Sequence, residues 1–148
     1  MTEVILVVVI LGVMAGYAIP QYQNAYLKAV EKRHTAMAVA IYGASQIYYS
    51  KHGNQYPDLW GAYNMADVNS TLGLNLSMEG IYYFGYWSPS PLHDRFSAEI
   101  KYGNTGDPGY FNICITQHPL GNTDPNPCCV SGYCPTLPAC DVSHICDC

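Results

Sequence analysis

The segment Glu3–Pro20, EVILVVVILGVMAGYAIP, decides the fold of this chain. The sixteen residues from Val4 to Ile19 carry no charge, and a carboxylate stands immediately before them. An apolar run of this kind is buried in lipid or in other copies of the protein. A carboxylate beside it is costly in lipid, so we expect Glu3 to have a partner. The segment is therefore predicted to be an assembly element and not part of a catalytic core.

A cleaved signal peptide does not account for this run. No basic region precedes it, and no small-residue cleavage pattern follows it. Extended to Tyr22, the run approaches the roughly 20 residues that cross a bilayer. A plain signal anchor is therefore retained as an alternative interpretation.

After Pro20 the chain continues with a helical period. Apolar side chains recur at spacings of mostly three, four or seven, with polar residues such as Gln23, Lys28, Lys32, Arg33 and Ser45 between them. The apolar positions are Tyr22, Tyr26, Val30, Met37, Ile41, Ala44 and Tyr48. Lys51 and Gly53 are typical of a helix C-terminus. We predict one helix over residues 1–52, with residues 1–22 as its hydrophobic half.

Pro20 is expected to bend or open this helix. Proline has no N–H, and its ring crowds the carbonyl group of Gly16. Gly12 and Gly16 weaken the preceding turns by about 1 kcal/mol each relative to alanine. The stretch 12–20 is thus the part of the helix that unwinds most easily. It is interpreted either as a tolerated kink in a membrane helix or as an extensible segment.

The remaining chain predicts an α+β fold. Residues 53–80 form a loop with a short helix near Asp58–Met65, and residues 81–117 hold strand-like runs at Ile81–Ser88, Arg95–Tyr102 and Tyr110–Gln117. These runs predict a three- to four-stranded antiparallel sheet packed on the C-terminal half of the long helix. Residues 118–148 form a disulfide-rich C-terminal tail with too few large apolar residues for a core of its own.

All seven cysteines lie in the last 35 residues. Such a cluster in a turn-rich tail predicts disulfides and an oxidising compartment. The odd number leaves one cysteine unpaired or paired with another chain, and the pairing is open. The seven are Cys114, Cys128, Cys129, Cys134, Cys140, Cys146 and Cys148.

Metal binding is an alternative use of these residues. Cys140, His144, Cys146 and Cys148 offer four ligands, and the remaining tail cysteines offer more, but the spacings fit no standard zinc pattern. No nucleophile motif, haem-attachment motif or phosphate-binding loop occurs. We therefore expect neither an enzyme nor a cofactor. Residues 52–148 have a formal net charge of −7. This argues against a nucleic-acid partner, because phosphate binding needs clustered Lys and Arg.

Two further patterns concern the surface of the protein. Asn69 and Asn75 begin N-glycosylation sequons on the stretch 64–77, which is predicted to be a loop. The fourteen tyrosines are interpreted as packing residues rather than as an electron path.

The N-terminal region resembles the type IV pilins and the related pseudopilins. The matching residues are Thr2 and Glu3, the run Val7, Val8, Val9 and Ile10, then Gly12, and the stretch AIPQYQN from Ala18 to Asn24 followed by Tyr26. The interval from Glu3 to Pro20 equals the family's interval between its glutamate and its proline. The family carries two further residues ahead of this register, after a short basic leader. Processing by a prepilin peptidase is implied by the resemblance only.

The resemblance implies a pilin fold and a specific mode of assembly. The hydrophobic half-helix would lie in the inner membrane and then enter the core of a filament with the help of a pilus assembly machinery. Glu3 would pair with the N-terminal amine of a neighbouring subunit, and Val7, Val8, Val9 and Ile10 would pack between subunits. Gly12, Gly16 and Pro20 would lie where many pilin helices lose helicity. The sheet and tail would form the outer surface.

The predicted function is that of a structural subunit of an extracellular, type IV pilus-like helical filament that serves adhesion, motility or surface interaction. The chain would polymerise with itself. Within the family, a pseudopilin of a type II secretion system is the alternative. From another class, the alternative is a membrane-anchored, monomeric binding domain stapled by disulfides.

Overall fold

The computed structural model describes residues 2–59, 64–79, 81, 83–88, 96–117 and 126–140. Its elements are helix α1 (Thr2–Lys51), helix α2 (Met65–Leu72) and strands β1 (Tyr83–Trp87), β2 (Phe96–Tyr102), β3 (Phe111–Gln117) and β4 (Cys128–Gly132). The four strands form one antiparallel sheet in the order β1-β2-β3-β4. The predicted α+β fold, with a long N-terminal helix on a three- to four-stranded sheet and a disulfide-bonded tail, is confirmed.

Helix α1 is continuous through Pro20. In the single chain the segment 12–20 is helical, so any unwinding there belongs to another state of the protein. The helix ends at Lys51, and Gly53 adopts a φ of 66°. This is the left-handed conformation that commonly ends a helix and that glycine adopts at little cost.

The sheet packs one face against the second half of α1. Alternate residues of each strand point toward the helix, as the two-residue period of a strand requires. They are Phe84, Tyr86, Phe96, Ala98, Ile100, Phe111, Ile113 and Ile115, all of them buried. From the helix, Met37, Ala38 and Ile41 complete this core.

The buried face of α1 differs from the predicted apolar stripe. Tyr22 and Tyr26 are exposed, whereas Ser45 is buried together with Glu31 and His34. Among the described residues, the sheet and its turns reach the helix only from Tyr26 and Leu27 onward, where Tyr102 bonds Tyr26 and the turn at Gly109 approaches Leu27. The small Ser45 side chain leaves room for Tyr86, and the two hydroxyl groups lie 3.1 Å apart in a hydrogen bond. Contact with the sheet, and not hydrophobicity alone, sets the buried face.

The short helix begins later than predicted. Asp58 and Leu59 are not helical, and α2 instead begins after Asn64, whose side chain accepts a hydrogen bond from the backbone N–H of Ala66 at 2.9 Å. Such an N-cap fixes the start of a helix, and Gly73 with a φ of 67° ends it. Met65 and Val68 bury one face of α2.

The tail contributes the fourth strand, so the sheet extends beyond residue 117. Successive residues of a strand point to opposite faces, and two adjacent cysteines use this alternation. Cys128 is bonded to Cys140 and Cys129 to Cys134. Cys128 packs beside Cys114 on the outer face of the sheet, whereas Cys134 packs against the main core.

Candidate assembly surface

The first half of α1 presents an exposed apolar surface to its surroundings. The large hydrophobic side chains from Val4 to Ile19 are between 48 % and 71 % exposed. The helix is long and apolar enough to cross a membrane, and its most apolar stretch is not buried inside the molecule. A soluble monomer does not normally leave an apolar surface of this size in water. This surface therefore requires lipid or protein around it.

Glu3 lies at the N-terminal end of this surface. It is exposed and forms no ion pair with any described residue. Val7 and Ile10 follow it at spacings of four and three, which places the three residues on one side of the helix. Val8 and Val9 lie on the neighbouring sides and are also exposed. The carboxylate thus borders the apolar surface directly.

Gly12 and Gly16 lie one turn apart on the same side of the helix. A Cβ atom added to either residue would meet no atom within 4 Å. Two glycines at this spacing let another helix approach the backbone closely. In the single chain both positions are open to a partner.

The globular part of the molecule begins abruptly at Tyr26 and Leu27. Tyr26 hydrogen-bonds Tyr102, and this bond, with burial, raises the pKa of Tyr102. Gly109 has a φ of 88°, and a Cβ atom there would lie 2.3 Å from a Leu27 methyl group. At a rise of 1.5 Å per residue, the bare part of the helix from Glu3 is about 35 Å long. That length matches the hydrocarbon core of a bilayer, about 30 Å.

Three basic residues lie beside the junction between the bare helix and the globular part. Lys28, Lys32 and Arg33 are exposed there, and Arg33 lies 3.6 Å from Glu79. A group of cations at one end of an apolar helix suits either lipid headgroups or acidic side chains of another subunit.

The two sequons differ in their surroundings. Asn69 lies in helix α2 and not in a loop, and its amide bonds the backbone of Leu76 twice, at 2.7 and 3.0 Å. Asn75 is exposed in the loop that follows α2. The side chain of Asn75 is therefore the more accessible of the two.

The cysteine pairing leaves little of the considered metal site. Cys128, Cys129, Cys134 and Cys140 are all in disulfides, and Cys114 is disulfide-bonded as well. His144, Cys146 and Cys148 lie outside the described residues. Within the described ranges no cluster of three His, Cys, Asp or Glu side chains is placed to hold a metal ion.

Two buried polar groups do not follow from any pattern in the sequence. One is Glu31, which lies on the buried face of α1. The other joins Glu99, Lys101 and Asn112 on the outer face of the sheet. Alternation along β2 places Glu99 and Lys101 on the same face, but nothing in the sequence shows that Asn112 lies beside them.

Comparisons of this chain with protein-family models, with curated proteins and with solved structures give no match.

Proposed function

We propose that this chain is a structural subunit of an extracellular helical filament of the type IV pilus kind. One observation carries the proposal: a continuous helix joins a bare apolar half, which no described residue buries, to a packed and disulfide-bonded globular part. Before assembly the bare half is held in a membrane. After assembly it is enclosed by the same half of other copies, and the sheet and tail face outward.

Glu3 is proposed to fix the register between subunits. A carboxylate moved from water into an apolar core needs a cationic partner. In the proposed filament that partner is the N-terminal amine of a neighbouring subunit, so only one axial offset places the two charges together. Gly12 and Gly16 permit close helix contact in the same core.

Two other functions compete with this proposal. A pseudopilin uses the same helix in a short periplasmic assembly, and the stapled tail favours the exposed surface of a long filament over it. A membrane-anchored monomeric binding domain uses the helix as an anchor only. The anchor gains nothing from an acidic residue beside its apolar run, and this favours self-assembly.

The proposal includes a location and an order of events. The chain is an inner-membrane intermediate, is processed by a prepilin peptidase, and becomes part of a cell-surface filament used in adhesion or motility. Its role is structural rather than catalytic. Sugars, where the host adds them, are expected on Asn75 and not on Asn69, because the Asn69 amide is held by the backbone of Leu76.

Electron microscopy of material sheared from cells tests the proposal. Thin filaments that contain this chain are expected from the wild type and are expected to be lost in Glu3→Ala and Glu3→Gln. Asp58→Asn is the matched control, since it removes an exposed carboxylate from the globular part. Normal filaments from the two Glu3 variants would refute the register mechanism. A wild-type chain found only as a membrane monomer would refute self-assembly.

A further inference from the structure

Three polar side chains form a compact group on the outer face of the sheet, away from α1. Glu99 and Lys101 lie two residues apart on β2, and Asn112 lies directly opposite Lys101 on β3. Glu99 is 8 % exposed and Asn112 is 4 % exposed. The assembly surface does not use this group, so its presence needs another explanation.

One oxygen atom holds the two nitrogen atoms of this group together. Glu99 Oε1 accepts a hydrogen bond from Asn112 Nδ2, and Lys101 Nζ lies 3.1 Å from the same oxygen. Directly opposite residues of an antiparallel pair have Cβ atoms about 4.5–5.5 Å apart. The Lys101 amine and the Asn112 amide are thus neighbours, with a carboxylate between them.

The surroundings of the group are poor in water on one side. Cys114 lies opposite Glu99 and two residues from Asn112, and with Cys128 it forms a buried apolar cluster. Asn112 Oδ1 is buried without a hydrogen-bond partner. The Lys101 side chain is 31 % exposed, which leaves a route for a small product to escape.

We propose that Lys101 and Asn112 form an intramolecular isopeptide bond, with Glu99 as the proton relay. Glu99 takes a proton from the Lys101 ammonium, and the freed lone pair attacks Cγ of Asn112. The new Nζ–Cγ bond forms and the Cγ–Nδ2 bond breaks. The Lys101 nitrogen loses two protons in all, and Nδ2 gains two and leaves as ammonium ion. The reaction needs no oxidant and no co-reactant.

Each element of this reaction corresponds to a general catalytic device. The positioned carboxylate serves first as general base and then as general acid. The fixed strand register holds the nucleophile beside its target and so replaces a collision by a unimolecular step. Glu99 touches both reacting nitrogen atoms and is the catalytic residue. The cross-link goes beyond filament assembly and does not depend on it.

Intact-mass spectrometry of the full chain, purified from an oxidising compartment and then reduced and alkylated, tests the inference. The mass is expected to be lower than the mass of the processed sequence by one ammonia molecule. Proteolysis is expected to release a branched peptide that joins Lys101 to Asn112. A full calculated mass without a branched peptide would overturn the inference.

Two variants separate the isopeptide bond from other losses of ammonia. Lys101→Arg removes the nucleophile, and Glu99→Gln removes the relay with little change in shape. Each is expected to show the mass calculated from its own sequence. Asn104→Asp, in the neighbouring exposed turn, is the control and is expected to retain the loss. If Lys101→Arg still lacks one ammonia, the loss arises elsewhere and the inference fails.

Discussion

Thr136 donates its backbone N–H to Glu31 Oε1 across 3.0 Å, and this bond joins the disulfide-bonded tail to the long helix over a separation of 105 positions. Glu31 is fully buried, and its second carboxylate oxygen has no hydrogen-bond partner. The bond therefore connects the tail to the helix that carries the exposed apolar surface.

Loss of this acceptor is expected to loosen the tail. Glu31→Ala leaves the Thr136 N–H without its partner and should lower the free energy of unfolding by about 1–3 kcal/mol. Glu31→Gln keeps an acceptor oxygen and should remain within about 1 kcal/mol of the wild type. Thermal unfolding in detergent, followed by near-ultraviolet circular dichroism, measures both. An equal decrease of the unfolding free energy in the two variants would show that the charge of Glu31 matters and its hydrogen bond with Thr136 does not.

Gly132 is predicted to tolerate no side chain. Its φ is 92°, and a Cβ atom there would lie 2.1 Å from the carbonyl oxygen of Tyr110. That oxygen also accepts the backbone N–H of Tyr133 at 2.7 Å. Gly132→Ala combines the left-handed backbone penalty with this clash, and the unfolding free energy should fall by more than about 2 kcal/mol.

Gly73 provides the matched control for this substitution. Its φ is 67°, and a Cβ atom there would meet nothing within 4 Å. Gly73→Ala should therefore lower the unfolding free energy only through the left-handed backbone conformation, by about 1–2 kcal/mol. If Gly132→Ala proved no more harmful than Gly73→Ala in the same unfolding assay, the close approach to Tyr110 would have no energetic weight.

Pro20→Ala is expected to preserve assembly and to stiffen the filament. The substitution restores a backbone N–H and removes the ring that crowds the preceding turn. The segment 12–20 should then resist unwinding under load. Force–extension measurements on single filaments report the change. Gly43→Ala, in a part of α1 with no atom within 4 Å of the added Cβ, should leave the extensibility as it is. If the extensibility of Pro20→Ala filaments equals that of the wild type, Pro20 does not promote unwinding of the segment 12–20.

Two buried tyrosines are predicted to make the protein sensitive to alkali. Burial raises the pKa of Tyr56 from 10.0 to about 12, against the opposing effect of its hydrogen bond with Gln46. Burial likewise raises the pKa of Tyr86. A raised pKa in the folded state means that this contribution to stability is complete below pH 10 and is lost as the pH rises toward 12.

Unfolding measured at several values between pH 9 and pH 12 tests this prediction. The wild type should lose stability across the window, and Tyr56→Phe and Tyr86→Phe should each flatten the decline, since each removes one proton that the folded state retains. Tyr17→Phe, at an exposed position of the bare helix, is the control. An equally steep decline in both core variants would contradict the prediction.

The sequence predicted the architecture well where periodicity was strong. The long helix, its end near Gly53 and three of the strands follow from spacing and turn residues. Helix α2 was placed too early, because its start is fixed by the side-chain cap of Asn64, which the prediction did not include. The buried positions of Glu31 and Ser45 were missed because burial there depends on contact with the tail and with Tyr86. No local pattern reports such distant contacts.

The exposed apolar surface was predicted from local sequence, since the run from Val4 to Ile19 is apolar whatever surrounds it. The group of Glu99, Lys101 and Asn112 was not predicted. Its members come from two strands, and their proximity depends on the register of β2 against β3. A shift of the strand register by one residue would place Asn112 on the other face of the sheet.

The neighbouring cysteines of β4 keep the tail attached after a single proteolytic cleavage. The loop closed by Cys129 and Cys134 lies inside the loop closed by Cys128 and Cys140. A protease that cleaves any single peptide bond between residues 129 and 140 therefore releases no fragment, because at least one disulfide still joins the two ends. A tail built in this way can be nicked by a protease and still stay attached to the rest of the molecule.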